Sequence, residues 1–411
     1  VLHPFHTFCL RLCFIVCYNS CFERFDASFP CRCLMIYFDN NATTPVLAEV
    51  REAMLPFFED SFGNPNSVHQ VGNKARVAIE RARGQMAKAL GVMTSEIVFT
   101  GCGSEADNQA ILGVLLKIPD SGKNLVISSI EHPAIAETAA WAAARFGFEL
   151  RIPPFSVREG RVDPMPFLDA IDENTVLVSV MAASNETGVT MPLGEIFAAA
   201  RKVGALCHTD AVQAFGKIPI KPADIGADLL SLSAHKFHGP KGVGMLYIRR
   251  GVSLEPLLHG GSQENARRAG TENVAYIVGM GKAAECAVAS DHAAIGQLRD
   301  YFEARLAEIY GEQIAFNFAG LARTPNTSSV RFGSEDGNLL LIKMDRKGLC
   351  ISTGAACSSG SLSPSKTLLA SGLSEEAAQA TLRFSFSRLN TRDEVDRALQ
   401  IIGGVYRPRS G

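Results

Sequence analysis

In the stretch VGNKARVAIERARGQMAKAL, apolar residues fall at Val71, Ala75, Ala78, Ile79, Ala82, Met86 and Leu90. That spacing follows the helical period and Gly91 supplies a stop, so the pattern predicts a helix from Val71 to Leu90 with one buried stripe. Beyond it the period changes. Short apolar runs, EIVFT, NLVISS, TVLVSVMAA, ALCHTD, DLLSLSA and VGMLYI, alternate with alanine-rich helical stretches. Continuous apolar runs suit strands buried on both faces, and their alternation with helices predicts an α/β fold with a mostly parallel, helix-covered sheet. After about Asn273 the chain turns helix-rich and then reads NTSSVRF, LCISTG and TLRFSFS, which predicts a second, smaller α+β domain.

Polar residues appear where these runs stop: Thr100 with a glycine-rich turn, Glu131 and His132, Ser184 and Asn185, His208 with Asp210, then Ser233, His235 and Lys236. Ligands of open α/β sheets bind at the carboxyl ends of the strands, so these ends converge on one candidate site. Composition narrows the partners. With 40 basic and 42 acidic residues the formal charge is -2, and no long Lys/Arg run offers a nucleic acid its phosphate contacts. No apolar stretch reaches the roughly 18–20 residues of a membrane span.

Six of the 11 cysteines, Cys9, Cys13, Cys17, Cys21, Cys31 and Cys33, precede Met35. The other five, Cys102, Cys207, Cys286, Cys350 and Cys357, show no paired spacing, which predicts no disulfide framework and a reducing, cytoplasmic setting. Residues 1–34 read as an atypical cysteine-rich leader outside the fold, an upstream extension ahead of MIYFDNNATTPV. A signal peptide fits less well, because Arg11 interrupts the apolar stretch and no small-residue cleavage site follows. The four-residue spacing from Cys9 to Cys21 would suit metal on a helix face, although metal sites usually add His or a CxxC pair.

The charge in SLSAHKFHGPKGVGMLYI is the sharpest local signal. Lys236 is either one half of a structural ion pair or an amine that forms a Schiff base with a carbonyl cofactor. Pyridoxal 5'-phosphate (PLP) needs a phosphate cradle, an acid beside its ring nitrogen and a group against its ring. FTGCGSEADN follows a strand and opens a helix, which puts Gly103 and the Ser104 hydroxyl at the positive end of a helix dipole. Asp210 ends ALCHTD and would keep the ring nitrogen protonated, Gln213 could reach the same ring, and His132 has a face that stacks and a pKa suited to proton transfer. Singly, these residues are more ordinarily a tight turn, a helix cap and a structural histidine. Together around one lysine they favour the cofactor.

YFDNNATTPV, FGNPNSVHQVG, EHPA, NETGV, HTDAVQ, SAHKFHGPKGVG, RAGTENV and STGAACSSGS occur in this order from Met35 to about Val405. In these motifs the chain resembles the cysteine desulfurases of the NifS/IscS-type group, class V aminotransferases of the fold-type I PLP enzymes. The resemblance implies an aspartate aminotransferase-type fold: a large domain over 49–274 with a mostly parallel seven-stranded sheet, and a small domain from 35–48 with 275–411. It assigns Lys236 to the cofactor's Schiff base, Asp210 to the ring nitrogen, Gln213 to the ring hydroxyl and His132 to stacking and proton shuttling. Gly103, Ser104, Ser233 and His235 would hold the phosphate, joined by Thr271 from the second subunit of a homodimer. Asn185, beside the cofactor, and Arg383 would bind the substrate carboxylate. Ser104 stands where the family commonly has Thr, which keeps the hydroxyl.

Cys357 lies in ISTGAACSSGSLSPS, among Ser, Thr, Gly and Ala with nothing bulky to pack a core. Cys207 and Cys286 read as small buried hydrophobes, whereas a glycine-serine setting suits an exposed thiolate. The resemblance makes Cys357 the persulfide former: L-cysteine yields L-alanine, and sulfur passes to an iron–sulfur scaffold, another acceptor protein, or the thiolation of cofactors and tRNA. It implies no intrinsic metal, with Cys357 as a transient iron–sulfur cluster ligand. Selenocysteine lyase and aminotransferase are the alternatives on the same frame, and a catalytically silent scaffold the alternative outside it.

Overall fold

The computed structural model describes residues 35–118, 122–353 and 363–407. The cysteine-rich leader and Cys357 lie outside the described residues. From Tyr37 onward the chain forms one compact unit.

Every apolar run quoted above becomes a strand. Strands β1 (Ile97–Thr100), β2 (Asn124–Ile127), β3 (Glu149–Arg151), β4 (Thr175–Ser179), β5 (Leu206–Asp210), β6 (Leu229–Ser233) and β7 (Gly244–Ile248) build a seven-stranded sheet in the order β1-β7-β6-β5-β4-β2-β3. Only β7 runs antiparallel to its neighbours. The other pairings are parallel. β3 is the strand that the pattern did not announce: it is a three-residue edge strand with an exposed glutamate and half-buried Leu150 and Arg151, too short and polar to register.

Alternate residues of each run serve opposite faces. Ile97, Phe99, Leu230, Leu232, Met245 and Tyr247 belong to a core that includes Met86, Leu90 and Met280. Val98, Leu229, Leu246 and Ile248 belong to a second core with Ile111, Val114, Ile135 and Ala139. Burying a Leu, Ile or Val side chain contributes roughly 1.5–3 kcal/mol, enough to offset the ~1–2 kcal/mol of backbone order per residue, so the runs need to be apolar on both sides.

The first long helix, α1, spans Gln70–Leu90; His69 caps it, Nδ1 accepting from the Gly72 amide at 3.2 Å, and Gly91 ends it at φ 70°. Val71 departs from the expected stripe: in the first turn it is 37% exposed, while Ala75, Ile79, Ala82, Met86 and Leu90 are buried. Helices α2 (Gly103–Leu115) and α3 (Pro133–Phe146) start directly after the ends of β1 and β2.

Beyond Asn273, α4 (Val274–Val288) and α5 (His292–Tyr310) are N-capped by Asn273 and Asp291. They precede an antiparallel sheet of β8 (Ile314–Phe316), β9 (Thr327–Phe332), β10 (Ser352–Thr353) and β11 (Thr381–Ser385), ordered β8-β9-β11-β10. Arg383 sits mid-strand in β11, opposite Ser329 on one side and Ser352 on the other. No helix among the described residues is long and apolar enough to cross a membrane.

The turn between β1 and α2 lies hard against the sheet. A Cβ on Gly244 would come 2.4 Å from the carbonyl carbon of Cys102, and one on Gly103 would meet the Ser233 Cβ at 3.1 Å. Gly244→Ala is therefore expected to destabilise the fold by about 1–3 kcal/mol through overpacking, read as a lower thermal midpoint. An unchanged midpoint would contradict this close approach.

Candidate active site

The strand ends and the segment after Phe38 enclose a cavity of about 320 Å³. Its wall carries Gly103, Ser104, His132, Asn185, Asp210, Gln213, Ser233, His235, Lys236 and Arg383, so ten of the predicted site residues meet in one place. Thr271 lies outside it, exposed, beside a separate pocket shared with Gly101 and Arg268.

Each side chain is set by local geometry. Lys236 closes the 3-10 turn Ala234–Lys236 that follows β6, and its Nζ donates to the carbonyl oxygens of Asn41 at 2.7 Å and Ala42 at 2.9 Å. Asp210 is the last residue of β5 and its Oδ1 accepts from the Val212 amide at 2.8 Å, a turn that fixes the carboxylate. His132 caps α3, Nδ1 accepting from the Ala134 amide at 3.1 Å. In the neutral ring this leaves the proton on Nε2. Gln213 donates Nε2 to the Asn41 carbonyl at 2.9 Å.

Cys102, directly before Gly103, is the N-cap of α2: its Sγ accepts from the Glu105 amide at 3.4 Å. The His235 Nδ1 pairs with Thr43 Oγ1 at 3.1 Å. Burial, helped by the charge of Lys236, pushes His235 down to about 4, so near neutral pH it offers hydrogen bonds rather than charge.

Arg383 is 2% exposed. It donates to the Asn185 carbonyl at 2.9 Å and to Asp39 Oδ1 at 2.8 Å, while its buried Nε has no hydrogen-bond partner among the described residues. Burial raises the carboxyl of Asp210, and the charges of His132 and Lys236 pull it back. Asp107, on the same wall, is raised well above the usual carboxylate range by burial and by Asp210.

These features fit pyridoxal phosphate. A buried carboxylate that burial disfavours is relieved by a ring N–H⁺. The start of α2, with Gly103 flush against β6, offers a phosphate its dipole. The amine of Lys236 shares the cavity with both. A mostly parallel sheet with this site at its carboxyl edge defines a fold-type I PLP enzyme.

Comparison with known proteins agrees. The Aminotransferase class-V model matches residues 36–398, and the chain belongs to that family. Among its relatives, the cysteine desulfurase IscS of Dictyoglomus turgidum is 43% identical over 89% of this chain and 93% of its own. The cysteine desulfurase IscS of Methanosarcina thermophila is 45% identical over 89% of this chain and 91% of its own. A solved NifS-like protein superposes with a TM-score of 0.84 at 37% identity, covering 90% of this chain and 99% of that one.

Several wall residues escaped the sequence reading: Asn41, Ala42, Asp107, Met181 and Val212. Two expected strand-end groups belong beneath the cavity instead. Glu131 is buried, accepting from Ser128 Oγ at 2.5 Å and the Met181 amide at 2.7 Å. His208 lies within the sheet, bonded to Ser179 Oγ at 2.8 Å and Ser231 Oγ at 3.0 Å.

Burial pushes His208 down to about 3, so it binds no proton near neutrality and charges only well below its unfolded value. Its ring-proton NMR shifts are expected to stay constant from pH 8 to about 5. A titration midpoint near the ordinary 6.5 would overturn that environment.

Proposed function

We propose that the chain works as a PLP-dependent cysteine desulfurase with Lys236, His132 and Cys357 as its catalytic residues. The overall change is L-cysteine plus the Cys357 thiol to L-alanine plus a Cys357 persulfide. The observation that carries the reading is the convergence of Lys236, Asp210, His132 and Arg383 on one cavity. Bound there, PLP supplies an electron sink for the carbon skeleton of the amino acid.

This chain's residues do the rest. Lys236 carries the cofactor; Asp210 holds its ring nitrogen, Gln213 meets its ring hydroxyl, and Gly103, Ser104, Ser233 and His235 bind its phosphate. Arg383, on the cavity wall, pairs with the substrate carboxylate beside Asn185. His132 stacks on the ring and moves the α-proton through Nε2. The Cys357 thiolate attacks the substrate sulfur, an S–S bond forming as the Cβ–S bond breaks, and a proton at the carbon left behind completes L-alanine.

The persulfide then passes to an acceptor protein, in our reading for iron–sulfur cluster assembly, with Cys357 as a transient cluster ligand, or for other sulfur-containing cofactors and thiolated tRNA. We place the reaction in the cytoplasm, in keeping with four described cysteines that are all unpaired: Cys102, Cys207, Cys286 and Cys350. We also divide the chain into a large cofactor domain, 49–274, and a small domain, 35–48 with 275–411.

The working unit in this reading is a homodimer in which Thr271 reaches the partner's phosphate site. Exposed Phe62 and Val68, 74% and 95% accessible, with Phe58 and Val77 nearby in sequence, support an interface. Sedimentation at micromolar protein is expected to give a dimer; a fully active monomer would refute it.

The central experiment treats purified protein with PLP and L-cysteine. Borohydride should fix the cofactor on Lys236, and intact mass should gain one sulfur on Cys357. Cys357→Ala is expected to keep the visible cofactor band while losing alanine formation by at least about 10³-fold, the scale of losing a covalent nucleophile. Alanine release at the native rate from that variant would reject the desulfurase reading.

A further inference from the structure

Lys217 is a buried amine that the reaction above does not use. It lies four residues past Gln213 and is 7% exposed. Its Nζ donates to Gln213 Oε1 at 2.5 Å and to Asn41 Oδ1 at 2.9 Å. Both acceptors are amide oxygens, and no ion pair to Lys217 occurs among the described residues. Burial, with the charges of Lys236 and Arg383, holds it well below the usual lysine range. The two amide oxygens both accept from its N–H groups.

The consequence falls on Gln213. A primary amide can be turned either way, and only one way presents N–H groups to the cavity. With Oε1 engaged by Lys217, the amino group faces away from it and gives one hydrogen to the Asn41 carbonyl at 2.9 Å. The second hydrogen remains for whatever occupies the cavity that Gln213 lines. The opposite orientation would set Oε1 against the Asn41 carbonyl and the amino group against the Lys217 donor, two repulsive contacts in place of two hydrogen bonds.

We propose that Lys217 is a positioning residue whose amine locks the Gln213 amide in the orientation that donates an N–H to the ring oxygen of the cofactor. The proposal rests on the reading of Gln213 given above.

The test is PLP titration of the full-length apoprotein, with dissociation constant and visible band maximum recorded for the native chain, Lys217→Met, Gln213→Leu and the double variant. Losing one hydrogen bond predicts about 2–10-fold weaker PLP binding in Lys217→Met, with a displaced band maximum. The double variant should bind within about twofold of Gln213→Leu alone, because the two residues act through one contact.

A folded Lys217→Met protein with native affinity and band would overturn the proposal, as would losses that multiply in the double variant. Lys217→Gln, which keeps a polar end, is expected to change both readouts in the same direction and serves if the methionine variant does not fold. A native chain that takes up no PLP would sink the cofactor reading itself, an outcome distinct from either.

Discussion

Asn41 uses its whole hydrogen-bonding capacity at the junction between the two sheets. Its amide donates to Ser385 Oγ, and its Nδ2 donates to the Asn185 carbonyl and Thr327 Oγ1. Its Oδ1 accepts from Lys217 and Asn326, and its carbonyl from Gln213 and Lys236. Partners after β4, β5 and β6 are thereby tied to partners in β9 and β11. Each of these groups is buried or nearly so, and an unpaired buried donor or acceptor costs about 1–3 kcal/mol. The position of Lys236 relative to Arg383 is therefore set by one side chain and its peptide groups rather than by the packing of either sheet alone.

That junction also concentrates charge. Lys236 and Arg383 stand on the cavity wall, and Arg383 is almost fully buried, with one nitrogen lacking a partner among the described residues. The nearby carboxylates answer only part of this: Asp39 engages Arg383, while Asp107 and Asp210 are both pushed toward their neutral forms by burial. A low-dielectric site with cations in place and acids reluctant to ionise favours anionic ligands. A phosphate and an amino-acid carboxylate supply those anions. Lys217, facing only amide oxygens, is held well below the usual lysine range by burial and by the charges of Lys236 and Arg383.

What the sequence made legible follows from burial. Helix α1 was visible because burying one face imposes a repeat of about 3.6, six strands because burial on both faces makes continuous apolar runs, and the strand-end rule then pointed to Asp210, His132 and Lys236. Asn41 was hidden because its partners lie 144 to 344 residues away, and no local pattern marks an asparagine that closes such loops. Lys217 and Asp107 were hidden likewise, one on a turn and one on a helix. His208 was misjudged by depth: it lies two residues before Asp210 in β5, hence on the same face but one step further into the sheet, between hydroxyls of β4 and β6. β3 has no apolar run to see.

Cys357, the thiol proposed to receive the sulfur, belongs to a segment whose described flanks on both sides adjoin the site. On the near side, Ser352 and Thr353 of β10 pair with Arg383 and Leu382. On the far side, Ser365 donates to Glu186 Oε2 at 2.5 Å, and Glu186 directly follows Asn185. Burial pushes that glutamate up to about 6, which makes the Ser365 contact a neutral-to-anionic hydrogen bond whose strength grows as pH rises through that value. Cys357 is four residues past Thr353, and at roughly 3.3–3.6 Å per extended residue it cannot lie more than about 14 Å from it. Both anchors are thus neighbours of the residues assigned to the substrate carboxylate, Arg383 at one end and Asn185 at the other. In the proposed reaction, this short tether raises the effective concentration of the Cys357 thiol around a substrate bound between the two anchors.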